Sequence, residues 1–192
     1  MTKAEDHLRY LEGGLAILGD YLLSSEVFWP IGVLASEGEP ALPQLTMGGL
    51  LLTVAFLRAL PLVSEQRERF ERLDAQLEAV RRRWQVAWGR KCQQSFRTRL
   101  RMWRNFLEEF REQPTENADR YTYEVKWRVM LHLLKEEAQP MEPAELNLLA
   151  ALDSLLRHNL TTGWFVWDEE LAAGFPPGEY WFLYGRLAGE IN

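Results

Sequence analysis

The sequence predicts an all-α protein, a single-domain bundle of five to six helices. Apolar residues recur at every third or fourth position along most of the 192 residues, which is the period of an amphipathic helix. Prolines and glycines cluster at a few sites between these stretches, where they predict breaks between helices. Because one domain takes about 100–200 residues, residues 1–192 are expected to form one domain.

Composition narrows the classes of protein to consider. The chain has 22 basic and 28 acidic residues, a net charge of −6, and 47% hydrophobic residues, which is typical of a globular protein rather than a disordered one. The one cysteine, Cys92, excludes an internal disulfide framework and a multi-cysteine zinc site. We predict no cofactor and no bound metal.

The N-terminal region predicts two helices with a loop between them. Leucines at helical spacing predict a helix over residues 4–24, in which Gly13, Gly14 and Gly19 indicate either a close helix–helix approach or a break near Gly13 and Gly14. The loop over residues 26–43 is rich in proline and glycine but is expected to pack on the body through its apolar residues, Val27, Phe28, Trp29, Ile31, Val33 and Leu34. A helix over 44–60 then ends at Pro61.

The longest predicted helix spans about residues 64–113. This segment contains no proline and one glycine, Gly89, and its apolar stripe is continuous. At 1.5 Å per residue an unbroken helix would be about 70 Å long, while a compact domain of this size is about 35–40 Å across. We therefore expect one very long helix or a helix broken at Gly89, with Ser64 as its N-cap.

Two further helices and an aromatic tail complete the prediction. One helix is capped by Thr115 or Asn117 and ends near Ala138, and another begins at Pro143 and runs to about Leu160. The tail from Thr161 is expected to form two short helical pieces separated by a Gly-Phe-Pro-Pro-Gly turn, with little strand pattern. Its aromatic residues are expected to cover the open end of the bundle.

No membrane association is predicted. The most apolar stretch, residues 45–63, is interrupted by Arg58 and Pro61, so a buried core helix is favoured over a membrane span. The N-terminal residues are charged and lack the apolar core of a secretory signal. The expected location is the cytoplasm.

A basic segment provides the main functional signal. Residues 79–107 contain nine basic and no acidic residues, which leaves a net charge of −15 on the rest of the chain. Four of these arginines are seven residues apart and should line one edge of the helix. The candidate residues for binding a partner or an anion are Arg83, Arg90, Arg97, Arg101 and Arg104.

Three explanations of this arginine edge remain open. The arginines could pair with acids of the same chain, among them Glu136, Glu137, Glu142, Glu145, Asp153, Asp168, Glu169 and Glu170. They could bind an acidic protein surface or a second copy of the chain. They could also bind nucleic acid, although the sequence pI of about 5.2 disfavours this, and the nearby aromatic residues fall on the core stripe.

The aromatic tail offers a second candidate site, an apolar groove. Its residues would be Trp164, Trp167, Phe175, Trp181 and Tyr184. The alternative is that these side chains belong to the core.

Catalytic signatures are absent from the sequence. It contains no glycine-rich phosphate loop, no G-x-S-x-G and no H-E-x-x-H, and we predict no catalytic residues. Cys92 lies on the apolar stripe, where a buried thiol is expected, although Arg90 and Lys91 could activate it. The predicted function is a non-catalytic interaction or scaffold subunit acting through the arginine edge. The alternatives are a nucleic-acid-binding accessory protein and, third, an enzyme whose site is assembled from scattered residues.

Overall fold

The fold is all-α, as predicted. A computed structural model describes residues 3–32, 41–138 and 140–189, and these contain eight α-helices and one two-stranded sheet. The six helices longer than one turn are α1 (Lys3–Leu23), α2 (Met47–Ala59), α3 (Ser64–Arg83), α4 (Gln85–Glu112), α7 (Lys126–Glu137) and α8 (Pro143–Asn159). The short α5 (Pro114–Asn117) and α6 (Tyr121–Glu124) lead from α4 into α7.

Helix α1 is continuous through its glycines, so the alternative of a break near Gly13 and Gly14 is wrong. A close approach is found at Gly14, but a Cβ added at Gly19 would have no described neighbour within 4 Å. A Cβ added at Gly14 would lie 3.1 Å from Cδ1 of Leu45. The chain just before α2 can therefore lie directly against α1. There, Trp29 and Leu45 exchange two backbone hydrogen bonds, and Ile31 is buried. Val33 and Leu34 lie outside the described residues.

The long helical segment bends at Trp84, not at Gly89. Trp84 adopts φ −115° and ψ 31°, while the backbone hydrogen bonds from Trp84 to Val80 and from Trp88 to Trp84 are both kept. Glu137 of α7 holds both sides of the bend, because its carboxylate accepts hydrogen bonds from Trp88 Nε1 (2.9 Å) and from Arg81 (2.8 Å). The packing partner also differs on the two sides of Trp84, since α3 packs mainly on α1 whereas α4 packs mainly on α7.

The core is centred on α4. Cys92, Phe96 and Trp103 are completely buried along its inner face, where α4 contacts α7 most extensively and also α2 and α8. The predicted aromatic stripe therefore belongs to the interior. Helix α3 begins at Ser64, but the preceding Val63 occupies the cap position and its N–H is accepted by the Gln66 side chain, so Ser64 is not the N-cap.

The aromatic tail covers one end of the bundle, as expected, but it also contains strands that the sequence did not predict. Strand β1 (Leu160–Phe165) pairs antiparallel with β2 (Tyr184–Leu187), and the register is irregular between Thr162 and Phe165. Two 3₁₀ helices, Glu169–Gly174 and Trp181–Leu183, provide the two expected helical pieces. Phe175 and Phe182 are completely buried, which anchors the tail to the helices.

Among the helices of the described ranges, none has the length and apolar character needed to cross a membrane.

Candidate functional site

The most apolar cavity described lies between α1, the start of α2, the middle of α4 and the start of α7. Its volume is about 530 Å³, which is within the range of small-molecule sites. Large apolar side chains form most of its walls: Phe28, Leu42, Leu52, Phe56, Trp127 and Met130. Phe28 keeps 41% of its surface exposed, so an apolar ring is accessible at the cavity.

Arg99 of α4 forms the floor of this cavity. It is only 3% exposed, yet no carboxylate of the described residues lies within ion-pair distance of it. One terminal nitrogen donates to Oγ1 of Thr46 at 2.9 Å, and the other lies 3.2 Å from the Met102 sulfur, a weak acceptor. Its Nε is buried and has no hydrogen-bond partner within the described part of the chain. Arg99 is therefore a buried cation with an unused donor.

Two aromatic rings hold the Arg99 guanidinium in place. Its Cζ lies 5.1 Å from the centroid of Phe28 and 4.8 Å from that of Trp127, distances at which the ring faces attract a cation. Lys126 is a second cation near Trp127, but its Nζ lies 3.1 Å from the ring centroid of Tyr123, a residue that is 65% exposed. Lys126 thus marks the mouth of the cavity and Arg99 its floor.

Neighbouring tyrosines do not neutralise Arg99. Burial raises the pKa of Tyr10 to about 12, and burial also raises the pKa of Tyr21. Both phenols therefore stay neutral near pH 7, and each donates to a backbone oxygen, Tyr10 to Gln44 and Tyr21 to Val27. Burial lowers the pKa of Arg99, but an arginine in a protein keeps its proton.

The N-terminus of α2 adds positive potential beside Arg99. Thr46 caps this helix by accepting from the Gly49 N–H at 3.0 Å, and its first turn contains no acidic residue. The macrodipole therefore places partial positive charge at the cavity. Gly49 is required here, since an added Cβ would lie 2.8 Å from the Tyr10 hydroxyl and 2.9 Å from Thr46 Oγ1.

The predicted arginine edge is divided in the structure. Arg97 pairs with Glu145 of α8, one of the internal acids considered above, and Arg104 lies 3.6 Å from Glu108 of its own helix. The other three candidates, Arg83, Arg90 and Arg101, are exposed, and the structure shows no ion pair for them with any described residue. Arg83 lies over the Trp84 ring at 5.4 Å. Internal pairing therefore accounts for only part of the edge.

The five aromatic residues of the predicted groove do not surround one cavity. Phe175 is completely buried and packs against Phe56 and Trp167, so it cannot line an open groove. Trp164 is 93% exposed, and Trp181 lies under Arg157 at 3.6 Å. Trp167 lines a cavity of about 540 Å³ next to the Arg99 cavity, while the Tyr184 hydroxyl donates to the backbone of Phe175. Phe175 therefore belongs to the core, whereas Trp164 is exposed on the strand β1.

A second, more polar cavity of about 340 Å³ contains His132, Glu136 and Glu179. The His132 ring packs against Tyr180 at 4.7 Å and forms no hydrogen bond to a carboxylate of the described residues. Desolvation lowers the pKa of His132, so its ring is neutral near pH 7. This is a packed histidine, and it lacks the oriented carboxylate that a general base would use.

The remaining chemical candidates give no further site. Cys92 is completely buried and burial raises its pKa, so the thiolate needed for nucleophilic attack is disfavoured. Within the described ranges no group of three or more His, Cys, Asp or Glu side chains could hold a metal ion.

No protein-family model, no curated protein and no solved structure matches this chain. The site is therefore interpreted from its own geometry.

Sequence reasoning counted Arg99 in the basic segment but did not distinguish it. The sequence does indicate that Arg99 is buried, because Arg99 follows Phe96 by three residues and precedes Trp103 by four. This spacing places Arg99 on the same inward face of α4. Its cavity partners, Thr46 and Phe28, are more than fifty residues away in sequence, and their contact with Arg99 requires the tertiary structure.

Proposed function

We propose that the protein is a non-catalytic helical binding protein that takes an apolar small molecule into the Arg99 cavity. The observation that carries this proposal is a cavity of about 530 Å³ with mostly apolar walls and a few polar groups, a combination typical of ligand sites.

The walls of the cavity are supported by contacts outside it. Tyr21 accepts from the Met47 N–H at 3.2 Å, Ser95 accepts from Gly48, and Thr46 caps α2. Helix α7 supplies Trp127 and Met130 from a well-packed contact with α4. These contacts support a site that exists before the ligand arrives, which lowers the cost of binding.

A neutral fluorescent apolar probe, N-phenyl-1-naphthylamine, tests this function. We expect saturable binding with one site per chain. Leu52→Phe replaces a leucine of the cavity wall with a larger aromatic side chain and should weaken binding at least about fivefold. The matched control is Leu51→Phe, since Leu51 lines the His132 cavity instead. The proposal is wrong if the probe does not bind, or if both variants, shown to be folded by circular dichroism, change its affinity equally.

A second proposal keeps the function predicted from the sequence, docking of an acidic protein surface on the arginine edge. The observation in its favour is that Arg83, Arg90 and Arg101 are exposed and have no ion pair with the described residues, in a segment that contains no acid. Planar guanidinium groups suit bidentate contact with carboxylates. An acidic partner would complement this edge, whereas the net charge of −15 elsewhere would repel a long polyanion.

Labelled polyglutamate and a mixed-sequence oligonucleotide test this second proposal. We expect polyglutamate to bind at low salt and to be released by salt. Arg83→Gln combined with Arg90→Gln should abolish this binding. The control, Arg97→Gln combined with Arg104→Gln, removes the internally paired arginines and should retain most of it. Tighter binding of the oligonucleotide would favour the nucleic-acid alternative, and self-association in sedimentation would point to a second copy as the partner; either result would overturn this proposal.

A further inference from the structure

We infer that the ligand of the Arg99 cavity is an amphipathic monocarboxylate, with its carboxylate paired to Arg99 and an unbranched apolar chain along the cavity walls. This inference rests on the proposed binding function and specifies the chemical class of the ligand. The juxtaposition that carries it is a buried arginine without a described carboxylate partner at the floor of an apolar cavity.

The first step concerns the charge of Arg99. A cation that is 3% exposed is unfavourable unless an anion or several hydrogen bonds compensate it. Its described polar contacts are one hydroxyl, Thr46 Oγ1, and one sulfur, Met102 Sδ. The positive end of α2 lies beside it and raises the local potential further. An anionic head group would compensate the buried positive charge of Arg99.

The same chain shows what a compensated buried arginine looks like. Arg128 is 7% exposed, and its Nε and one terminal nitrogen donate to the two carboxylate oxygens of Asp153 at 2.7 and 2.8 Å. One terminal nitrogen of Arg128 and the Nε of Arg99 have no partner in the described part of the chain, but only Arg128 has a carboxylate, and one terminal nitrogen of Arg99 donates to Thr46 instead. A ligand carboxylate at the floor of the cavity would reproduce the geometry that Asp153 provides for Arg128.

The second step distinguishes a carboxylate from a phosphate. Arg99 supplies the buried positive charge of the cavity, whose exposed lining surface is mostly apolar although Asp6, Arg9 and Lys126 also line it. A phosphate monoester carries a charge of about −1.5 to −2 near neutral pH, so part of that charge would stay uncompensated in an apolar environment. Lys126 and Arg9 also line the cavity, but both are partly exposed. The Lys126 ammonium contacts both the Tyr123 and the Trp127 rings, so Arg99 is the one buried basic group among the described lining residues.

The third step concerns the chain of the ligand. Leu52, Phe56 and Met130 provide an apolar path away from Arg99, and each methylene buried there gains affinity. The cavity volume of about 530 Å³ has room for a chain of medium length. Decanoate is therefore a suitable probe, used below its micelle concentration.

Head-group specificity is measured with three probes of equal chain length: decanoate, decanol and decyl phosphate. We expect decanoate to displace N-phenyl-1-naphthylamine at least about tenfold more effectively than decanol at pH 7.4, and more effectively than decyl phosphate. Equal displacement by decanoate and decanol would overturn the carboxylate assignment while leaving the binding function intact. Tighter binding of decyl phosphate would also overturn it. Failure of all probes, including the naphthylamine, would instead refute the binding function.

Substitutions of Arg99 test the pairing itself. Arg99→Met should abolish the preference for decanoate over decanol but retain decanol binding. The matched control is Arg101→Met, which removes an exposed arginine from the same helix and should leave the preference unchanged. If Arg99→Met does not fold, Arg99→Lys keeps the charge without the planar fork and should bind decanoate several-fold more weakly. Unchanged preference in a folded Arg99 variant would overturn the inference.

Chain length gives an independent readout. Affinity should rise by about fourfold for each added methylene from hexanoate to decanoate, as expected for burial of an apolar chain. An affinity that does not depend on chain length would mean that the carboxylate binds an exposed cation, which would contradict the assignment to the cavity floor.

Discussion

Two buried arginines of this chain have opposite surroundings. Arg128 on α7 is held by both oxygens of Asp153 on α8, and its guanidinium lies 4.4 Å from the Phe182 ring. Arg99 on α4 also has aromatic neighbours, but Thr46 and Met102 are its described polar contacts. Arg128 joins two helices to the aromatic tail, whereas Arg99 faces a cavity.

This difference distinguishes a structural ion pair from the ligand site that we propose at Arg99. Breaking a buried pair leaves an uncompensated charge and is strongly destabilising, while replacing an unpaired buried charge with an apolar side chain is often neutral. Stability measurements on the two arginines should therefore differ, and that difference can be measured without knowing the ligand.

The largest effect is expected from Asp153→Ala. It leaves Arg128 buried without its carboxylate and should lower the free energy of unfolding by about 3 kcal/mol, measured by urea denaturation. Combining it with Arg128→Met should recover most of this loss, because no charge then remains unpaired. If the double variant is as unstable as the single one, the effect arises from lost packing and not from the unpaired charge.

A smaller effect is expected from Arg99→Met. The substitution loses a hydrogen bond to Thr46 and the ring contacts but also removes an unpaired buried cation, so the free energy of unfolding should change by less than about 1 kcal/mol. The matched comparison is Arg128→Met, which leaves the Asp153 carboxylate without its partner and should be clearly less stable than Arg99→Met. A loss for Arg99→Met as large as that for Arg128→Met would show that Arg99 has a structural partner, contrary to the contrast drawn above.

The smallest effect is expected in the pH dependence of stability, and it comes from His132, whose pKa is influenced by Arg128. Desolvation and the charge of Arg128 lower the pKa of His132 below its ordinary value of 6.5. His132 therefore takes up a proton more readily in the unfolded chain than in the folded one. The stability that neutral His132 contributes is lost as the pH falls below about 6.5. His132→Gln should flatten the decline in melting temperature between pH 7 and pH 5, whereas His158→Gln, at an exposed position of α8, should not. Identical pH profiles for His132→Gln and the unsubstituted protein would contradict this assignment.

The helices were predictable because their signals are local. Apolar spacing placed α1 over Lys3–Leu23 against the predicted 4–24, and Pro143 marked the start of α8. The bend at Trp84 was not predictable from propensity, since Trp84 carries no breaker signal and Gly89 does. It occurs where the packing partner changes from α1 to α7, and Glu137 joins both sides.

The hairpin in the tail was missed for a similar reason. Thr161 and Thr162 suit a strand, but pairing with Gly185 and Arg186 depends on chain closure over more than twenty residues, and the four exposed positions of β1 show no alternation. Its aromatic residues could be assigned to a cover from composition alone. Which of them are buried, such as Phe175, and which are exposed, such as Trp164, depends on the bulge and the fold-back.

From the order of its residues alone, this chain already specified an all-α fold, an acid-free basic segment and a buried aromatic stripe, because periodicity and charge are properties of neighbours along a helix. The tertiary structure placed the arginines of that segment in different environments. It paired Arg97 with Glu145, exposed Arg83 and Arg90, and buried Arg99 beneath Phe28 and Trp127. The reason is physical. The electrostatic environment of each arginine depends on which groups from distant parts of the chain lie within a few ångströms of it, and the packing of the helices decides those distances.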